Sequence, residues 1–190
     1  MIKVVRSLFV LTVVYLSISL FLSAQSFATE KVDSNRDYLI DKLHRVVTNL
    51  APADSARNGI ILRLADLLSD RARYTTMRLS EGPCKTCTAP DTDRKKALQY
   101  YHEAYPKVAE ANKAKVLVQM GHLNQLLGNQ AAAIDLYTKI TVESSDQTAR
   151  SEAYLSIGDI YFKKSEWNKA QLNFDKSIET SNNDSKGYAT

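Results

Sequence analysis

Tyr154-Leu155-Ser156-Ile157-Gly158-Asp159-Ile160-Tyr161 is followed at fixed offsets by Trp167, Ala170, Phe174 and Ser177. Large, small and aromatic residues recur there at three- and four-residue steps, the spacing of amphipathic helices. Thirty-seven residues earlier, Leu117, Met120, Gly121, Ala133, Tyr137 and Ile140 stand at the offsets of Tyr154, Ile157, Gly158, Ala170, Phe174 and Ser177. Self-similarity at such a period marks stacked helix pairs. Gly121, Gly158, Ala133 and Ala170 have a packing reason: where paired helices cross closely, a larger side chain would wedge them apart. Tyr137 and Phe174 are the rings expected to fill the adjoining space. No stretch shows sustained alternation of apolar and polar residues, so no sheet is expected.

This pattern resembles the tetratricopeptide repeat, whose two antiparallel helices carry a large residue at position 4, Leu and Gly at 7 and 8, an aromatic at 11, Ala at 20 and an aromatic at 24. Position 1 falls at Ala114 and Ser151, and the clearest departure is Asn124, at position 11 where Tyr161 fits. A third copy is split in two: Ile61, Leu64, Ala65 and Leu68 match the first helix, with position 1 at Asn58, and Ala97, Tyr101 and Ala104 match the second. Ala65 and Ala97 are 32 apart where an uninterrupted repeat has 12, so twenty residues are inserted. Upstream, Leu39, Ile40, Leu43, Val46, Val47 and Leu50 form the stripe of an amphipathic helix that ends at Ala51-Pro52. The next helix is expected to start after Asp54 or Ser55, either of which can accept a hydrogen bond from free backbone N–H groups.

The resemblance covers Asn58 to Asp184 and implies an all-α fold, a TPR-like α-solenoid of antiparallel helix-pair repeats with about three repeats plus an N-terminal helix. The expected divisions are a leader over 1–28, a linker and capping helix over 29–57, an interrupted repeat over 58–113 with an insertion at about 77–93, and repeats over 114–150 and 151–184. Residues 185–190 are a tail or the start of a truncated further repeat, since Tyr188 falls in register with Tyr154. An array without a polar capping helix exposes its last pair, which implies self-association through the C-terminal end.

The insertion holds Cys84-Lys85-Thr86-Cys87 between Gly82-Pro83 and Thr88-Ala89-Pro90. Thiol–disulfide exchange favours a first cysteine at a helix N-terminus in a βαβ context, and Pro90 with the surrounding turn formers argues against a helix there. Haem attachment needs a histidine where Thr88 stands. Zinc would need two more ligands, and His44, His102 and His122 are scattered over different helices, so no metal site and no cofactor is expected within one chain. The structural reading is a disulfide between Cys84 and Cys87 that orders the loop in an oxidising compartment, contributing at most about 2 kcal/mol for so short a loop. A thiol–disulfide helper remains the catalytic alternative. Asp66 and Asp70, one turn apart, have no identified partner and are expected to solvate a face.

In tetratricopeptide arrays the first helices line a concave groove at positions 2, 5, 9, 12 and 13. The resemblance therefore implies a partner-binding floor of Leu62 and Asp66 in the interrupted copy, then Lys115, Val118, His122 and Gln125, then Leu155, Asp159, Phe162 and Lys163. Apolar anchors among charged groups suit a peptide or partner helix. Chaperone-binding members of the family place Lys and Asn at positions 5 and 9; here those are Val118 and His122, or Leu155 and Asp159, so a terminal carboxylate is not the expected ligand. The expected function is a non-catalytic protein–protein interaction scaffold of the cell envelope, with a structural subunit of an envelope complex as a further alternative.

Lys3 and Arg6 precede an uncharged, mostly apolar run from Leu8 to Leu22, and Ser26 and Ala28 flank Phe27 as a signal peptidase requires. The run is shorter than the roughly 20 residues of a spanning helix, so no membrane span is expected after cleavage, and the destination is periplasmic or secreted. Losing Lys3 and Arg6 leaves 23 basic against 21 acidic residues and lowers the net charge from +4 to +2. The remaining charges alternate along the helices, which argues against nucleic acid as a partner. N-terminal sequencing of the exported protein should begin at Thr29; a mature chain still beginning at Met1 overturns the leader.

Overall fold

The computed structural model describes residues 35–84 and 87–187, the last six by backbone alone. The leader, its cleavage point and Tyr188 lie outside the described residues. Apart from the connections between them, the described residues form helices, with no strand among them. The helices are α1 over 35–49, α2 (Arg57–Glu81), α3 (Pro90–Ala104), α4 (Glu110–Leu126), α5 (Gln130–Glu143), α6 (Gln147–Lys163) and α7 (Trp167–Gly187), with a single 3-10 turn at Tyr105–Lys107. Two compact units divide between Arg45 and Val46. In the first, the described part of α1 buries Ile40; the second holds α2 to α7.

There, α2 packs on α3, α4 on α5 and α6 on α7, and α5 and α6 join successive pairs. The register of each pair is antiparallel: Arg57 reaches Glu103 and Arg71 reaches Asp93, while Ser151 reaches Ser177. The last two pairs repeat at 37 residues to the boundary, since α4 and α6 start at Glu110 and Gln147, and α5 and α7 start at Gln130 and Trp167. Their turns are built alike. Leu127 N–H donates to Leu123 O and Asn129 N–H to Asn124 O, and 37 residues on Lys164 donates to Ile160 and Glu166 to Tyr161. Each turn passes through a left-handed residue, Gly128 at φ 80° and Ser165 at φ 60°, which glycine adopts without strain and serine does not. Asn124, the departure from the aromatic pattern, is buried and donates its amide to Met120 O at 2.9 Å.

The inserted residues mostly lengthen helices. In the register of α4, α2 would stop at Asp70; it runs on from Arg71 to Glu81, and α3 begins at Pro90, leaving Gly82–Ala89 between them. The connection starts later than the expected residue 77, and Pro90 begins α3 beyond the cysteine pair, because the missing N–H of proline costs nothing in the first turn. Likewise α2 starts at Arg57, two residues beyond Ser55, and the Asp54 carboxylate accepts from Ala56 N–H at 2.8 Å ahead of the helix. Inside the extension Arg71 donates through Nε and Nη2 to the two oxygens of Asp93, both at 2.7 Å, and Asp93 is fully buried. A buried carboxylate stripped of its cation costs roughly 3–5 kcal/mol, so these helices are committed to one register.

The core between the regular pairs gathers Leu117, Val118, Tyr137, Ile140, Ile157 and Ile160. At the crossing of α4 and α5 a β-carbon on Gly121 would stand 2.4 Å from the Tyr137 ring, and at that of α6 and α7 one on Gly158 would stand 2.5 Å from the Phe174 ring. The helices approach so closely only because both positions lack a side chain. Gly121→Ala should destabilise the fold by about 1–3 kcal/mol in urea melts despite alanine's better helix propensity, and more than Gly158→Ala, because Tyr137 is fully buried and Phe174 is not. A stabilising Gly121→Ala would overturn the close crossing.

Candidate functional site

The first helices of the regular pairs, α4 and α6, lie side by side, and their shared face brings together several of the residues named from the sequence. Gln125 Nε2 donates to Asp159 Oδ2 at 3.0 Å, and Lys163 Nζ donates to the same oxygen at 2.7 Å. From α5 the Tyr137 hydroxyl donates to Gln125 Oε1 at 3.3 Å. One turn back, His122 Nε2 stands 3.7 Å from Glu152 Oε1, and its ring meets that of Tyr137 edge-on at 5.8 Å. At that distance the histidine and glutamate attract as an ion pair only when the imidazole is protonated. The row is thus internally paired, its groups already held in place.

Beside this row stand apolar side chains. Leu126, Leu155 and Phe162 are each more than half exposed, and the Phe162 ring packs edge-on against Trp167 at 5.1 Å, itself 57 % exposed. Large apolar groups clustered at a surface mark an interaction site more than any one of them would alone. The sequence named Phe162 for the floor and used Trp167 only as a repeat marker; five residues apart across a three-residue turn, they had the spacing to meet. Tyr137 was likewise assigned only to packing, yet it touches Gln125 and His122.

Two of the expected floor residues, Val118 and Asp66, differ from that reading. Val118 is 3 % exposed and belongs to the core, because α4 is enclosed by α5 on one side and α6 on the other. Leu155, at the same repeat position, stays exposed because no further first helix lies beyond α6 among the described residues. Asp66 does not merely solvate a face: its carboxylate accepts the Tyr101 hydroxyl of α3, while Asp70 pairs with Arg73 at 3.0 Å. Leu62 is half-buried on α2, and Lys115 is exposed on α4.

Cys84 and Cys87 form a disulfide, their Cα atoms 5.5 Å apart. Cys84 lies in the connection, with α3 starting only at Pro90, so no helix N-terminus faces it. On another edge, a depression of about 510 Å³ lies among Tyr105, Glu110, Lys113, Lys139 and Glu143. Its cations are engaged: Lys113 pairs with Glu110 at 2.7 Å, and Lys139 lies 3.8 Å from Glu143 and over the Tyr105 ring. Among the described residues no cluster of three or more His, Cys, Asp or Glu is placed to hold a metal, and no helix is long and apolar enough to cross a membrane. No protein-family model matches the chain, and no curated protein matches it.

Burial drives the Tyr137 hydroxyl well above the usual phenol range, as it does that of Tyr101, where the hydrogen bond to Asp66 adds to the shift. A phenol whose folded pKa is raised stabilises the fold fully below the unfolded value of about 10, and that contribution is lost as pH rises further. Ultraviolet titration should therefore find these two tyrosines ionising only as the helical circular dichroism signal collapses at strongly alkaline pH. Ionisation of all tyrosines with the helices intact would contradict the packing described.

Proposed function

We propose that the chain is a non-catalytic protein–protein interaction scaffold of the cell envelope, a tetratricopeptide-type array whose α4–α6 face holds a segment of a partner protein. The observation that carries this reading is the pairing of two features. Two helix pairs repeat at 37 residues with the same boundaries, and the last first-helix keeps Leu155 and Phe162 exposed beside a polar row that satisfies itself. The apolar side chains supply the anchors, each contributing about 1–3 kcal/mol when covered. The fixed Gln125–Asp159–Lys163 row orients what lies across it at little cost in ordering, because its rotamers are already set.

Export through the 1–28 leader fits a disulfide at Cys84–Cys87, since such bonds persist in oxidising compartments. Self-association through the C-terminal end is supported by Trp167 and Ile178, three turns apart on one face of α7 and both more than half exposed. Affinity capture from the envelope fraction tests the groove. Leu155→Glu and Phe162→Glu should each lower partner recovery at least tenfold, while Val142→Glu, at an exposed position on α5, leaves it unchanged. Equal recovery with all three variants overturns the groove.

A further inference from the structure

The charged residues that line the depression between Glu110 and Glu143 have equivalents one repeat on, and the charge differs. Glu110 and Gln147 each open a first helix, and Lys113 and Arg150 follow three residues later. On the second helices Lys139 and Lys176 share one position, and Glu143 and Thr180 another. The last pair therefore keeps both bases and replaces both acids by neutral side chains. In the earlier pair each lysine has its glutamate, at 2.7 Å and 3.8 Å. In the last, no ion pair joins Arg150 or Lys176 to a carboxylate among the described residues.

The two cations come together beside α6. Ser151, next to Arg150, donates to Ser177 O at 3.0 Å, and Ser177, next to Lys176, donates to Ser151 O at 2.9 Å, which sets both cations at one height. Tyr154 lies one turn beyond Arg150 on the same face of α6, and Lys176 Nζ stands 5.6 Å from the centre of its ring. Lys176 is exposed, so its stem can turn, and Arg150 is half-buried. Arg150 Nε is sealed from solvent without a hydrogen-bond partner, and so is Oε1 of Gln147, three residues back on that face. A buried donor left unpaired is costly unless an acceptor from outside completes the bond. The Gln147 amide, turned about its last bond, offers its NH2 to the same acceptor. The Asp146 carboxylate is occupied at the start of α6, where it accepts from Ala149 N–H at 3.0 Å.

We propose that Arg150, Lys176 and Gln147 bind a phosphate group, free or as a small monoester. The guanidinium fork takes two oxygens in its plane, and a carboxylate has no more to give. A phosphate keeps further oxygens for the Lys176 ammonium and the Gln147 amide, and its two negative charges match the two cations. Partial burial of Arg150 strengthens the attraction relative to open water. Arg150 stands five residues before Leu155, about 140° round the helix, so the site lies away from the groove and does not depend on it.

Titration calorimetry tests this on the chain as processed in the cell, with inorganic phosphate, glycerol phosphate and acetate. Inorganic phosphate or the ester should bind once per chain, the tighter of the two naming the source, and acetate should bind at least about tenfold more weakly. Arg150→Gln and Lys176→Gln should each lower the affinity about tenfold or more, the loss of a hydrogen bond between charged groups. Gln147→Glu combined with Thr180→Glu gives the two cations the carboxylates of the earlier pair and should abolish binding, while Lys113→Gln leaves it unchanged. Thermal melts should show the variants folded like the parent; Lys176, being exposed, keeps the test open if the other changes disturb the fold. Three results each overturn the proposal: no binding of either phosphate, acetate bound as tightly as phosphate, or a folded Lys176→Gln variant that binds like the parent.

Discussion

At two helix crossings an aromatic ring stands where a β-carbon would otherwise be, Tyr137 over Gly121 and Phe174 over Gly158. That exclusion fixes how near the helices of each pair come and at what height they meet, because a ring the size of tyrosine's fits opposite one residue and no other. The helix boundaries repeat at 37 residues because the same lock is set twice. Its consequence reaches the surface. The ring of Tyr137 that closes the crossing also carries a hydroxyl to Gln125 and an edge to His122. Packing in the core and order in the polar row of the candidate site are therefore one constraint seen from two sides, and a change at Gly121 acts on both.

The first pair reaches the same end by other means. Ala65 takes the glycine's place and Tyr101 the ring's, both buried, and α2 and α3 add polar ties: Asp66 to Tyr101, Arg57 to Glu103, Arg71 to Asp93. Arg57 also donates to the carbonyls of Val47 and Leu50 at the end of α1. Polar ties are directional where apolar contact is not, and a buried charge tolerates no slip. A hairpin that extends past its neighbours has fewer helices to pack on, so its register has to come from such bonds. The extension can thus be narrow, with a small interior and with Met77 and Leu79 left outside.

The repeat period, the crossing glycines and their rings were legible in the sequence because each depends on a residue type that little else replaces. The length of α2 was not. Residues 71–81 carry three basic side chains and a glutamate–glycine end without a strong apolar stripe, so nothing in their periodicity separated a helical extension from a loop; the sign lay in Asp93, a carboxylate that turned out to belong inside, opposite Arg71. At the candidate site the polar partners Gln125, Asp159 and Lys163 were read from repeat positions and meet as bonded neighbours. Val118 did not follow, since repeat position names a direction on a helix while burial depends on whether another helix lies in that direction.

Equivalent positions in the two regular pairs carry this distinction furthest. Val118 and Leu155 share a position, as do Thr141 and Ile178, yet the first of each is under 10 % exposed and the second over half. Both side chains in the last pair are as large as or larger than their counterparts, so exposure there follows from what stands alongside and not from composition. In the earlier pair, α4 and α5 are flanked by α6; in the last, that flank is open among the described residues. An apolar side chain in the open flank keeps the shape and direction that a neighbouring helix would have required of it. Under the function proposed above, a helical or extended segment of a partner would use that same direction without rearranging α6, because Asp159 is already bound by Lys163 on the same helix and by Gln125 on α4. Recognition proposed for this face would then cost mainly the ordering of the partner, with an affinity set by how much of Leu155, Phe162 and Trp167 that partner covers.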